Sequence, residues 1–127
     1  IKRMCRDLNL DIDIKVLPIK RERDGLALSS RNEYLSQKER TAALLLSGAL
    51  KKARNFIQEG WTDPVKLSEA IEKELQMSPL IEIDYVGVVD LEKLERIEKI
   101  DPNNTLIAAA IKVGSTRLID NFILGEI

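Results

Sequence analysis

The 127-residue chain contains no histidine and one cysteine, Cys5. Without histidine there is no imidazole general base, no His metal ligand and no Ser-His-Asp triad within the chain. A lone cysteine cannot close an internal disulfide, and it removes zinc-finger spacing. Cys5 reads as a small packed side chain, and a reducing, cytoplasmic setting is expected. No apolar run approaches the ~20 residues of a transmembrane helix. A charge excess is missing too: 20 basic residues face 21 acidic ones, for a net charge of −1. That balance argues against a general nucleic-acid or membrane binder. Internal repeats and low-complexity tracts are missing, and no signal-like segment is expected. Carboxylates are plentiful, but on helices they read as solvated faces, and no catalytic pair stands out.

What is present organises itself around Asp24-Gly25-Leu26-Ala27-Leu28-Ser29-Ser30-Arg31-Asn32-Glu33-Tyr34-Leu35. Gly25 permits a tight or left-handed backbone. Ser29 and Ser30 supply hydroxyl and N–H donors, and Arg31 supplies a planar, permanently charged fork suited to phosphate. A phosphorylated ligand is one reading of this loop. The other is a polar connection in which Ser and Asn satisfy their own backbone. Asn32 and Tyr34 are as suited to fixing and packing the turn as to touching a ligand. Lys20-Arg21-Glu22-Arg23 leads into the loop, and its cations either help hold an anion or pair with Glu22 and Asp24.

The flanking pattern predicts the elements. Ile1, Met4, Cys5 and Leu8 share one face of a helix ending near Asn9. Ile12, Ile14, Val16 and Leu17-Pro18-Ile19 predict a strand over about 11–19. One strand cannot be a sheet, and the chain opens in mid-pattern without an initiator Met, so a fragment of a longer protein is expected. Ser36-Gln37-Lys38-Glu39 has the form of a capping box that starts a helix running to about Glu59. Ala43, Leu46, Leu50, Ala53 and Ile57 make its apolar stripe, Gly60 its C-cap, and Trp61 packs at its end. Thr62-Asp63-Pro64 starts a second helix, carrying Val65, Leu67, Ala70, Ile71 and Leu75.

The last third predicts strands. Ile81, Ile83 and Tyr85 alternate with Glu82 and Asp84 in a half-buried strand to about Val89. Asp90–Leu94 reads as one helical turn and Asp101–Asn104 as a tight turn. Strands over about 105–113 and 116–124 are joined at Gly114-Ser115 as a hairpin. Arg117 and Asp120 are expected to serve architecture. The fold class is therefore α+β, with helices on a small antiparallel sheet.

The run from Asp24 to Leu35 closely resembles the signature of the pantothenate synthetase (pantoate–β-alanine ligase) family. Gly114-Ser115-Thr116-Arg117-Leu118-Ile119-Asp120-Asn121 is similar to that family's C-terminal Gly-x-x-Arg-Leu-Ile-Asp-Asn. The resemblance covers essentially the whole chain and the C-terminal half or so of the family's length. It implies the tail of a Rossmann-like nucleotidyltransferase domain over residues 1–19, an ATP-phosphate loop and connection over 20–35, and an α+β lid over 36–127. It further implies that Ser29, Ser30 and Arg31 act on the triphosphate, and that Leu28, Ser29, Ser30 and Arg31 contact ATP, with Lys20 a weaker backbone contact. Family members commonly have a small apolar residue where Lys20 stands, so the Lys20 side chain has no role by this match.

The implied reaction is the ATP-dependent condensation of pantoate with β-alanine through pantoyl adenylate, giving pantothenate, AMP and pyrophosphate, with Mg2+ accompanying ATP. The family's His-x-Gly-His and Gly-x-Lys-Asp-x-x-Gln segments do not occur here, so the chain alone is expected to be inactive. The implied full-length protein is a homodimer that binds neither nucleic acid nor membrane. Two rival readings stand beside this one: a nucleotide-binding lid of another adenylating enzyme, and a non-catalytic α+β interaction domain.

Overall fold

The computed structural model describes residues 1–125. Helix α1 (Lys2–Asp7) is followed by irregular chain, and then by a narrow hairpin over residues 20–28 closed by an Arg21–Ala27 bridge. A 3-10 turn (Ser30–Tyr34) leads into two helices, α2 (Gln37–Gln58) and α3 (Pro64–Leu75). Three strands complete the chain: β1 (Ile81–Asp90), β2 (Thr105–Val113) and β3 (Thr116–Leu124). They form one antiparallel sheet in the order β1-β2-β3.

Local chemistry sets the helix boundaries. The Ser36 Oγ accepts from the Glu39 N–H at 3.3 Å, and the Glu39 carboxylate accepts from the Ser36 N–H at 2.8 Å, so the capping box is complete. Gly60, just past α2, has φ +98°, a left-handed conformation that a side chain resists. Asp63 caps α3 through the N–H groups of Val65 and Lys66, with Pro64 in its first turn. Trp61 stacks on Phe56 at 4.3 Å between ring centroids.

The core lies between α2, α3 and one face of the sheet. Ala42, Ala43, Leu46, Ala49, Leu50 and Ala53 of α2 meet Leu67, Ile71 and Leu75 of α3 and Ile107, Ile111, Val113, Leu118 and Phe122 of the sheet. Each large aliphatic side chain removed from water contributes about 1.5–3 kcal/mol. The α2 stripe is broader than the expected one, while Ile57 is only partly buried and Val65 faces solvent.

Three expectations change. Residues 11–19 form no strand: no ladder pairs this stretch, and Ile12, Val16, Leu17 and Ile19 are exposed. A strand exists only by pairing, and no described strand lies beside these residues. On α1 only Cys5 of the expected apolar face is buried; Ile1, Met4 and Leu8 are exposed. In β1 the alternation also breaks. The register shifts between Ile83 and Tyr85, a bulge that turns Tyr85 outward and brings Val86 and Val88 toward the core. At Asp90–Leu94 a single turn forms, with the Leu94 N–H donating to the Asp90 carbonyl at 2.9 Å and the Asp90 carboxylate accepting from Glu92 and Lys93. The turn at Asp101–Asn104 and the Gly114-Ser115 connection are as expected.

Candidate functional site

Period-two alternation in β3 puts Thr116, Leu118, Asp120 and Phe122 on the buried face. Asp120 is thus a carboxylate among core residues, 2% exposed. Such a charge requires a partner. Arg21 provides it with a two-pronged bond, Nη1 to Oδ2 at 2.6 Å and Nη2 to Oδ1 at 3.0 Å. The same carboxylate accepts from the Asn121 N–H. The hydrogen bond from Arg21 to Asp120 holds the guanidinium pKa above its ordinary value, against the opposing effect of partial burial. Arg21 also donates to the Gly25 carbonyl at 3.1 Å, fastening the hairpin tip to β3. Asp120 is architectural, as the sequence implied.

The hairpin has its own backbone ties. The Leu28 N–H donates to the Lys20 carbonyl at 2.9 Å, and the Glu22 N–H to the Leu26 carbonyl at 2.8 Å. Gly25 takes φ +95° at the turn, the position where glycine's freedom is needed. Leu26 at the tip is buried against the core. Beyond the hairpin, the Ser29 Oγ accepts from the Arg31 N–H at 3.2 Å and caps the 3-10 turn. One acceptor site of the hydroxyl is thereby used, and its O–H remains a donor. The polar-connection reading is thus correct for the backbone, and it leaves the donor chemistry intact.

Leu28, Ser29 and Arg31 line a cavity of about 210 Å³ together with Arg117, Leu118, Ile119 and Asp120 of β3. Ser29 and Arg31 thus share this space with the apolar residues Leu26 and Leu46 and with the β3 segment Arg117–Asp120. The Arg117 side chain lies on the opposite, exposed face of β3 and donates through Nε to Asp84 at 2.7 Å, the architectural pairing expected of it. Ser30 is exposed at the start of the 3-10 turn and does not line the cavity. Lys20 does not line it either, and acts through its carbonyl bond to Leu28.

Glu22 and Asp24 do not pair with the neighbouring cations of their own segment. Their partner is Arg40, from the start of α2. Its Nη2 donates to Glu22 Oε2 at 2.5 Å and to Asp24 Oδ2 at 2.8 Å, and its Nε donates to the same Asp24 oxygen at 3.0 Å. Asn32, 5% exposed, donates through Nδ2 to Glu22 Oε1 at 2.6 Å and to the Ala27 carbonyl at 3.0 Å. Its Oδ1 is buried without a hydrogen-bond partner among the described residues. The bonds from Asn32 and Arg40 hold the Glu22 carboxyl below the ordinary range, and the bond from Arg40 does the same to Asp24. Arg40 is held above its ordinary value by Glu22 and then by Asp24. Sequence reasoning missed Arg40, because an arginine in the first turns of a helix reads as a solvated charge. Its place immediately after the signature run was the available signal.

Among the described residues no cluster of three His, Cys, Asp or Glu side chains could hold a metal ion, and no helix is long and apolar enough to cross a membrane. The cavity's one carboxylate is committed to Arg21.

An α+β domain with a cavity lined by the Leu28–Arg31 loop and β3 is the class these features define. The chain belongs to the pantoate-beta-alanine ligase family, whose model matches residues 1–123. It is 51% identical to the pantothenate synthetase of Clostridium novyi over 99% of this chain and 45% of that protein. It is 50% identical to that of Thermotoga neapolitana over 98% of this chain and 44% of the relative. The chain thus spans less than half the length of these curated relatives. A crystal structure of pantothenate synthetase from Thermus thermophilus superposes with a TM-score of 0.88 at 34% identity, over 98% of this chain and 45% of the other. A pantoate-beta-alanine ligase from Francisella tularensis, complexed with beta-gamma ATP and beta-alanine, shares the fold at 24% identity and a TM-score of 0.57, over 96% of this chain and 37% of its own.

Proposed function

We propose that this chain is the C-terminal portion of a pantothenate synthetase that joins pantoate to β-alanine at the expense of ATP, through a pantoyl adenylate. In this reading residues 1–19 are the tail of the Rossmann-like domain, 20–35 the ATP-phosphate loop and its connection, and 36–127 the lid. The observation that carries it is that Leu28, Ser29 and Arg31 of the signature run line one cavity in a member of this family. Leu28, Ser29, Ser30 and Arg31 contact ATP; Ser29, Ser30 and Arg31 hold its triphosphate; and Lys20 contributes through its backbone.

The chemistry follows from charge. Attack of the pantoate carboxylate on the α-phosphate drives negative charge onto the departing pyrophosphate. A fixed guanidinium and hydroxyl donors stabilise that charge most where water is excluded. The Ser29 cap and the Asn32 bonds hold the loop before ligand arrives, which reduces the cost of ordering it. Mg2+ would travel with the nucleotide phosphates; no cluster of three metal-ligating side chains occurs among the described residues. Pantoate and β-alanine bind mainly to the N-terminal domain, and the full-length enzyme is a cytoplasmic homodimer. The isolated chain lacks histidine and turns over no substrate.

The test is AMP release by the intact enzyme with and without pantoate and β-alanine. Release that requires both substrates is expected. Arg31→Ala should slow pantoate-dependent pyrophosphate release about 10²–10³-fold, as for the loss of one preorganised donor. Near-normal adenylation in that variant would remove Arg31 from the mechanism.

A further inference from the structure

The loop at the cavity is held from both sides by groups that touch no substrate in the reading above. The hairpin limb before it carries Glu22 and Asp24, and the 3-10 turn after it carries Asn32. One carboxylate joins the two: Glu22 accepts from Asn32 with Oε1 and from Arg40 with Oε2. Asn32 also reaches the Ala27 carbonyl, next to Leu28. Arg40 stands on α2, whose own start is locked by the Ser36–Glu39 capping box. A continuous path of hydrogen bonds, charge-assisted at Glu22, thus runs from α2 through Glu22 and Asn32 to the backbone next to Leu28 and Ser29.

We propose that Arg40 and Asn32 are positioning residues for the Leu28–Arg31 loop, with Glu22 as the shared acceptor that couples them. This rests on the assignment of that loop to ATP. Arg40 is 32% exposed and Asn32 is buried, so one fixes the network to the helix and the other transmits it to the loop. Arg40 carries two acceptors on one fork, which a lysine cannot reproduce. Misplacement of a reacting or stabilising group by about 1 Å costs on the order of 10²-fold in rate, so a partial loss of this network should cost about 10–10²-fold.

The experiment is a double-mutant cycle in the intact enzyme. Pantoate-dependent pyrophosphate release is measured for wild type, Arg40→Ala, Arg31→Ala and the double variant, with kcat and KM resolved for ATP and for pantoate. Arg40→Ala should lower kcat/KM for ATP about 10–10²-fold and leave the pantoate KM unchanged. In the Arg31→Ala background the same change should cost less than about twofold, because residues acting through one another are not additive. Arg40→Lys, which keeps the charge and loses the fork, should fall between wild type and Arg40→Ala. If Arg40→Ala does not fold, Arg40→Lys carries the cycle. Lys52→Ala, which breaks the distant Lys52–Glu74 pair, should leave all constants unchanged. Equal losses in both backgrounds would overturn the proposal, since they mark an effect that does not act through Arg31. An inert Arg31→Ala would instead remove the ATP assignment itself, and the positioning role with it.

Discussion

The Arg21–Asp120 pair makes an asymmetric prediction. Its two ends differ in burial: the Asp120 side chain is 2% exposed and that of Arg21 is 35% exposed. Arg21→Met keeps the aliphatic stem and leaves an unpaired carboxylate among Leu118, Phe122 and their neighbours. Breaking a buried pair from this side costs about 3–5 kcal/mol. Asp120→Asn leaves a guanidinium that can turn to water and still donate to the Gly25 carbonyl, so exposure discounts its cost to about 1–2 kcal/mol. For a chain of this size the first change should lower the thermal midpoint by on the order of 10 °C, and the second by about a third of that. Arg21→Met/Asp120→Leu, which removes both charges, should recover much of the loss, because it leaves no buried charge alone. Thermal unfolding followed by far-ultraviolet circular dichroism reads all four proteins. Equal losses in the two single variants would refute the reasoning, because they would mean that burial does not decide which partner matters.

Other features give smaller, separable effects. Ser36→Ala removes one half of the capping box and should cost about 1 kcal/mol of stability, read from the urea midpoint. Gly114→Ala should cost about 1–2 kcal/mol by the same measure, since φ is +60° there and an added Cβ would meet the Glu39 carboxylate. The carboxyls of Glu22 and Asp24 are held below their ordinary range, so the unfolded chain binds more protons than the folded one on the acid side. Their contribution is complete above the ordinary carboxylate range near pH ~4 and is lost as pH falls through the lowered values. Urea midpoints taken across that range should therefore fall more steeply for wild type than for Arg40→Met, whereas parallel profiles would exclude the network as the cause.

Much of the architecture was legible because its determinants are local. The Ser36–Glu39 box, the Asp63-Pro64 start and Gly60 are short-range chemistry, and the helix stripes and the hairpin at Gly114-Ser115 follow from period and turn residues. The strand expected over 11–19 was not found, because apolar alternation describes a side chain's preference while a strand depends on a neighbour. Tyr85 departed from its alternation because a bulge inserts one residue, and no residue type announces it. At the site, Ser29 and Arg31 could be singled out from their functional groups and from the resemblance. Arg21 stood in the right cluster, but its partner is 99 residues away. Arg40 lies 16 and 18 positions from Asp24 and Glu22, and only the packing of α2 against the hairpin makes it part of the site.

The inward carboxylate of β3 has a mechanical consequence. A loop tied at its base to a sheet strand and at its flank to a long helix cannot swing independently of them. Through the Arg21–Asp120 and Glu22–Arg40 bonds, any displacement of the hairpin is shared by the sheet and α2 together.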